Sequence, residues 1–233
     1  ITRIITRLNV GGPSIQAVWL TKLLAEEYGC ECQLIAGEPE AGEGDMFWLA
    51  DRLGVEITRV PHLRRPISPK HDGVALAQIY RLIRRFRPDI VHTHHAKAGF
   101  VGRLAAMLAR VPVRVHTYHG HVLDGYFSPL KGRSIQALER WMAHHTTRLI
   151  AISPKLKEEL LNQYRIGKEA QYRLVELGID LAPYLNGKLH RGFLRRELGC
   201  PGDWRLVGII GRLAEIKNHE MFLRVAQRTL KLP

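Results

Sequence analysis

The chain has 233 residues, room for one large domain or for a domain and a piece of another. With 45 % hydrophobic and 24 % charged residues it has a globular balance that excludes disorder. The 35 Lys and Arg against 22 Asp and Glu give a net charge of +13, a surface drawn to nucleic acid, anionic lipid headgroups or phosphorylated small molecules.

No apolar run nears the ~20 residues of a membrane-spanning helix, and no secretory leader is visible. The first residue is Ile1 rather than Met, so the numbering is expected to begin inside a longer gene product. Cys30, Cys32 and Cys200 make no CxxC pair and no zinc spacing, which fits a reduced cytoplasmic protein.

Along the chain, apolar β-branched runs alternate with helical periods. RIITRL (Arg3 to Leu8) reads as a strand, and Pro13 to Tyr28 as a helix with Ile15, Val18, Trp19 and Leu23 on one side. Further strands are expected at Cys32 to Ala36, Val55 to Val60, Asp89 to Thr93, Val113 to Thr117, Arg148 to Ser153 and Tyr172 to Leu177. Helical segments separate most of them. Such βα repetition predicts a doubly wound parallel sheet covered on both faces, with functional loops at the carboxyl ends of its strands.

After Leu177 the character changes. GIDLAPYLNGKLHRGFLRRELGCPGDWR holds five glycines and two prolines around one helical period, Leu189 to Leu198. The organisation expected is a Rossmann-like domain over 1–180 and a connection over 181–204. A first βα unit of a second, truncated Rossmann-like domain follows over 205–233. In that unit Leu206 to Leu213 reads as a buried strand and Glu220 to Leu230 as a helix.

The charge is uneven. From Arg59 to Arg87 there are eight Lys or Arg and one acid, Asp72. Within it Leu76, Ile79, Tyr80 and Ile83 recur at helical spacing while Arg81, Arg84 and Arg85 fall elsewhere. Three readings stay open: a core-packed helix with a solvated basic side, an amphipathic element at an anionic membrane, and a nucleic-acid surface. No recognised nucleic-acid motif or aromatic platform supports the third, so no specific nucleic-acid partner is expected.

Three junctions carry chemistry. NVGGPSIQ follows the first strand, where Gly11 and Gly12 allow either a plain tight turn or close approach of a phosphate to a helix N-terminus. VHTHHAKAG ends another strand with His92, His94 and Lys97. Metal ligation, a structural histidine cluster and substrate hydrogen bonding are all consistent with it, although Asp89 sits at the wrong end for a ligand and Asp124 is the other nearby acid. VHTYHGHVLDGYF follows the next strand. Alternation puts His116 inside the sheet and leaves His119 and His121 in the loop, with Gly120 between them. Later, GRLAEIKN places Arg212 and Lys217 at a strand-to-helix junction, which suits either a diphosphate or ordinary solvated surface.

Taken in order, the GG loop, PDIVHTHHAKAG, VHTYHGH, RLIAIS, and GID followed by GRLAEIKN resemble the GT-B fold glycosyltransferases, most of all the retaining family 4. The likeness spans essentially the whole chain. It implies acceptor binding by the N-terminal domain and a nucleotide-sugar donor, UDP- or GDP-linked, on the C-terminal one. It implies no metal and no resident cofactor. His119 matches the histidine that contacts the transferred sugar at the reacting centre. Gly11, Gly12, Arg212 and Lys217 match the donor-diphosphate side, and His94, Lys97 and His121 fall to the acceptor and sugar. The acceptor expected is lipid-linked or an envelope-glycan precursor, met at the inner face of the plasma membrane by a peripheral protein.

Two departures matter. Leu177 stands where the family has Asn before GID, so any role of that side chain is lost. The family's ExxxxxxxE segment lies beyond Pro233, so the chain alone is expected not to transfer sugar. A GT-B-fold sugar-nucleotide epimerase, a metal-dependent hydrolase and a non-catalytic polyanion or membrane module are the competing readings.

Overall fold

The computed structural model describes residues 1–120, 129–185, 187, 191–211, 213 and 215–231. Two units are separately compact, Ile1–Ile179 and Asp180–Pro233.

The first unit is built on seven strands: β1 (Thr2–Ile5), β2 (Gln33–Ala36), β3 (Ile57–Arg59), β4 (Ile90–His94), β5 (Val113–Tyr118), β6 (Arg148–Ala151) and β7 (Tyr172–Leu174). All pair in parallel, in the order β3-β2-β1-β4-β5-β6-β7. The chain winds outward from β1 to β3, returns to the other side of β1, and winds outward again to β7. Its direction reverses between β1 and β4, the position at which an open parallel sheet leaves a crevice at its carboxyl edge.

Helices cover both faces. They are α1 (Gly12–Glu26), α2 (Phe47–Leu53), α3 (Pro69–Phe86), α4 (Ala96–Leu108), α5 (Pro129–His144) and α6 (Pro154–Glu158). Neighbouring residues of one strand feed opposite layers, which is why these strands read as continuous apolar runs. Ile5, Leu34 and Ala36 pack with Ala17, Val18 and Phe47 beneath α1 and α2. Ile4, Ile35 and Val91 pack with Ile79, Ile83 and Val101 beneath α3 and α4. Beyond β5, Leu149, Ala151 and Tyr172 join Leu156 and Leu160 in a further layer.

The basic helix α3 has local reasons to form. Pro69 opens it, and the Ser68 N–H donates to Asp72 Oδ2 at 3.1 Å, satisfying one end group. Arg84 and Arg85 sit in its last turn, where cations oppose the dipole. Ala75, Ile79 and Ile83 are buried at four-residue spacing, while Arg81, Arg84 and Arg85 are exposed. It is a core-packed helix with a solvated basic face.

Among the described residues of the second unit there are the α-helices α7 (Ala182–Leu185), α8 (Phe193–Glu197) and α9 (His219–Thr229). Asn218 Oδ1 caps α9 by accepting from the Met221 N–H at 3.1 Å. The strand expected over Leu206 to Leu213 does not form among the described residues. Val207 and Ile210 are 81 % and 103 % exposed rather than buried. A strand exists by pairing, and among the described residues of this unit no second strand is present to pair with it.

Two glycines separate steric need from open space. A Cβ on Gly37, at the end of β2, would lie 1.9 Å from the Leu63 carbonyl oxygen and 2.3 Å from that of Thr6. On Gly12 it would meet nothing within 4 Å. Gly37→Ala is expected to cost about 3 kcal/mol in urea unfolding, because two backbones must separate, and Gly12→Ala to stay within about 0.5 kcal/mol. Equal midpoints for the two variants would contradict this packing.

Candidate functional site

The crevice between β1 and β4 is bounded by the loop Thr6–Gly11 and by the residues following His94. The Glu38–Met46 segment braces the first loop: Val10 N–H donates to Gly44 O at 3.0 Å, and Met46 N–H to Leu8 O at 2.8 Å. Arg7 Nε is paired with Glu43 Oε2 at 2.6 Å. Gly11 then caps the fifteen-residue α1 without any side-chain acceptor, and its first turn contains no acid. A Cβ on Gly11 would meet only Pro13 Cδ, at 3.8 Å. The missing side chains leave room beside the Gly11 and Gly12 backbone at a positive helix end, where an anion is stabilised. Pro13 carries no N–H, and the Ser14 and Ile15 N–H groups already donate to Gly11 O, each at 3.2 Å. Ser14 Oγ, buried in that same turn, has no partner among the described residues.

Strand alternation sorts the histidines. Register pairs Arg3 with His92, Ile5 with His94 and His94 with Thr117, so these lie on the α1 face. Thr93 and His116 pair on the opposite face. There His116 Nδ1 lies 2.8 Å from Thr93 Oγ1, and its ring stands 2.5 Å from where a Cβ on Gly99 would be. Gly99 thus lets α4 seat against that ring.

On the α1 face the fully buried Arg3 meets no carboxylate. Its Nη1 donates to Ala17 O at 2.6 Å and Thr21 Oγ1 at 3.0 Å, and its Nη2 lies 2.9 Å from His94 Nε2. His94 Nδ1 lies 3.0 Å from His119 Nε2. His92 Nε2 meets Thr117 Oγ1 at 2.7 Å. Among the described residues His119 Nδ1 is buried without a partner. His95 caps α4 with φ 67°, and its own Nδ1 is likewise buried and unmatched. The His95 and His119 rings meet edge-on, with centroids 5.6 Å apart.

Burial sets the protonation of this cluster, and the cation beside it reinforces the effect. Desolvation, then Arg3, holds the His119 ring down to about 4. Burial and the His119 charge hold His95 to about 3. Burial also keeps His92, His94 and His116 well below the ordinary histidine value. All five are neutral at pH 7. Arg3, pulled down to about 9 by burial, keeps its charge.

The expected site residues divide as follows. Gly11 and Gly12 follow β1, His94 ends β4 and His119 follows β5, so all four lie along the carboxyl edge of the sheet, and of them His94 and His119 meet directly. His94, however, is fully buried and reaches a ligand only through His119, because its place in β4 turns it under α1. Lys97 was expected to face the acceptor, but its ammonium is held by Asp72, 2.6 Å from Oδ1, and ties α4 to α3. Lys217 is exposed in a single helical turn, Glu215–Lys217, of the second unit. His121 and Arg212, and with them Asp124, lie outside the described residues. Among the described residues no three His, Cys, Asp or Glu side chains converge to hold a metal. An open cleft of about 400 Å³, lined by Glu38, Glu40, Glu43, Asp45, Phe47 and Arg59, contains none of the expected site residues.

Sequence reasoning missed Arg3 and His95. An arginine inside an otherwise apolar parallel strand was the available signal for the first. Nothing in a linear motif foretells the positive φ of the second.

A doubly wound parallel sheet with a glycine loop and a polar cluster at its switch point defines an open, Rossmann-like α/β domain. The chain belongs to the family described as the glycosyl transferase 4-like domain, whose model matches residues 11–178. It is 33 % identical over 173 residues to the UDP-Gal:alpha-D-GlcNAc-diphosphoundecaprenol alpha-1,3-galactosyltransferase of Escherichia coli. That match covers 72 % of this chain and 43 % of the relative, so the chain spans less than half of that protein. Among solved structures, a glycosyltransferase from Rickettsia africae superposes with a TM-score of 0.71 at 18 % identity, over 99 % of this chain and 57 % of its own. Anabaena HepE, solved with UDP and glucose, gives 0.68 at 18 % identity, over 97 % and 57 %. Sugar-nucleotide 2-epimerases share the fold as well.

The neutral histidines make stability depend on pH in a defined direction. Unfolding frees rings that bind protons below the ordinary value of 6.5, whereas the folded rings resist until about 4 for His119. The unfolded chain therefore binds more protons in that window, and stability, full above about pH 6.5, falls as the pH drops. The loss should reach up to about 1.4 kcal/mol per pH unit for each ring. Urea midpoints that do not move between about pH 7.5 and about pH 5 would disprove neutral burial.

Proposed function

We propose that the protein to which this chain belongs transfers a sugar from a nucleotide-sugar donor to a lipid-linked or envelope-glycan acceptor, with retention of configuration. The observation that carries this reading is His119, just after β5, meeting His94 at the end of β4, on the same carboxyl edge of the sheet as the Gly11–Gly12 loop and the N-terminus of α1. Family membership and the relative that acts on a diphosphoundecaprenol-linked sugar support the same substrate class.

The chemistry follows from charge. Breaking the anomeric C–O bond builds negative charge on the departing diphosphate. The positive end of α1 stabilises that charge without a metal. His119 is neutral and donates a hydrogen bond to the transferred sugar. No carboxylate pair of the glycosidase kind is needed. The donor is UDP- or GDP-linked, and no resident cofactor takes part. Because the chain spans 43 % of its E. coli relative, we expect it to turn over no donor by itself.

The decisive assay uses the full-length protein with UDP- and GDP-sugars and polyprenyl-diphosphate-linked acceptors, following nucleotide release and product mass. Transfer should require both substrates, and His119→Ala should lower kcat/KM by about 100-fold or more while the unfolding midpoint barely shifts. Intact donor in every combination would sink the proposal. Donor conversion without acceptor would replace it with an epimerase.

A lipid-linked acceptor calls for work at the inner membrane face, and no helix among the described residues is long and apolar enough to cross a membrane. The exposed Arg81, Arg84 and Arg85 of α3 offer a peripheral contact. Reversing all three to Glu should weaken binding to vesicles containing anionic lipid by about 100-fold, since each basic residue near such a surface contributes about 1 kcal/mol. Binding that ignores salt, lipid charge and the triple reversal would exclude this face. Oligonucleotides should bind weakly and without sequence preference.

A further inference from the structure

We propose that Arg3 is a positioning residue which, acting through His94, fixes the His119 proton on Nδ1 and so makes that nitrogen the hydrogen-bond donor the chain presents to a ligand. The reasoning is one of direction. A guanidinium has donors and no acceptor, so His94 Nε2, 2.9 Å from Arg3 Nη2, must accept. An imidazole that accepts at Nε2 and is neutral carries its proton on Nδ1. That nitrogen lies 3.0 Å from His119 Nε2 and therefore donates to it. His119 Nε2 is then an acceptor, and the His119 proton is left on Nδ1.

The chain cannot run the other way, because nothing at the Arg3 end can accept. It also opposes a cationic His119: a second proton would sit on Nε2 and face the Nδ1–H of His94. The other surroundings of the ring agree with this. His92 is engaged by Thr117, His95 stands edge-on to His119, and Arg3 supplies the nearby positive charge. Among the described residues His119 Nδ1 is buried with no partner, so a donor is offered where an acceptor oxygen can meet it. Arg3 itself is anchored from the helix side by Ala17 O and Thr21 Oγ1, which orients its second nitrogen toward His94.

What the donor is for, a sugar hydroxyl or ring oxygen, rests on the proposed transferase reading. The tautomer does not, and it is measured on the chain alone without substrate. The experiment is long-range 1H–15N correlation spectroscopy of the 15N-histidine-labelled chain, with His119 assigned by the signal lost in His119→Gln. Nδ1 of His119 should be the protonated, pyrrole-type nitrogen and Nε2 the pyridine-type one, unchanged from about pH 8 to about pH 5. In Arg3→Met the proton should redistribute toward Nε2, and the ring should titrate nearer its ordinary value of about 6.5. His94→Phe, which cuts the next link, should do the same and serves if Arg3→Met does not fold. A proton on Nε2 in the unsubstituted chain, or an unchanged tautomer in a folded Arg3→Met or His94→Phe, overturns the proposal. A failed transfer assay leaves this measurement untouched, and the reverse holds equally.

Discussion

The parallel pairing of β1 with β4 is the constraint from which the crevice follows. Its register sets Arg3 beside His92 and Ile5 beside His94. A slip of one residue would turn Arg3 from the α1 face to the α4 face and place it among Ile79, Ile83 and Val101. Burial of a guanidinium without a carboxylate is costly, and the present register answers that cost with a carbonyl, a hydroxyl and an imidazole. The same pairing is where the winding reverses, so the glycine loop after β1 and the histidines after β4 emerge side by side.

Much of this was legible in the sequence because two-sided burial leaves a plain signature. RII, QLIA and RLIA are apolar without alternation, and each became a parallel strand with both faces covered. The segment around Ile79 and Ile83 showed a helical period and became α3. Alternation also assigned His116 to the interior, where it packs against Thr93 and the Gly99 position. What the sequence withheld was partnership across long separations. Lys97 looked free at a strand end, but Asp72, twenty-five residues earlier, is brought beside it by the packing of α3 on α4. His94 looked available for the same reason, and Arg3, ninety-one residues earlier, claims one of its nitrogens.

Leu206 to Leu213 shows the complementary limit. Its composition is that of a buried strand, and composition reports what a segment would bury, not what lies next to it. Without a neighbour to supply ladder hydrogen bonds among the described residues, the apolar side chains of Val207 and Ile210 stay exposed. The contrast with β1 is instructive. Thr2–Ile5 is only four residues long, yet it is flanked on both sides and buried throughout. Neighbours, not length or hydrophobicity, separate the two.

The electrostatic character of the crevice begins with a charge that never reaches solvent. Arg3 is fully buried, yet its charge polarises His94 and then His119 in one direction, leaving a donor at the outer end. Beside it the N-terminus of α1 adds the positive end of a fifteen-residue helix whose first turn holds no acid. Both contributions are fixed in place and cost no rearrangement when charge develops nearby, unlike a flexible surface lysine. Both nitrogens of His94 are occupied, and the nearest charge is positive. An anionic or oxygen-rich ligand is the one this geometry stabilises. The surplus of +13 over the whole chain then acts at longer range, raising the local concentration of such ligands while the buried relay sets how one is held.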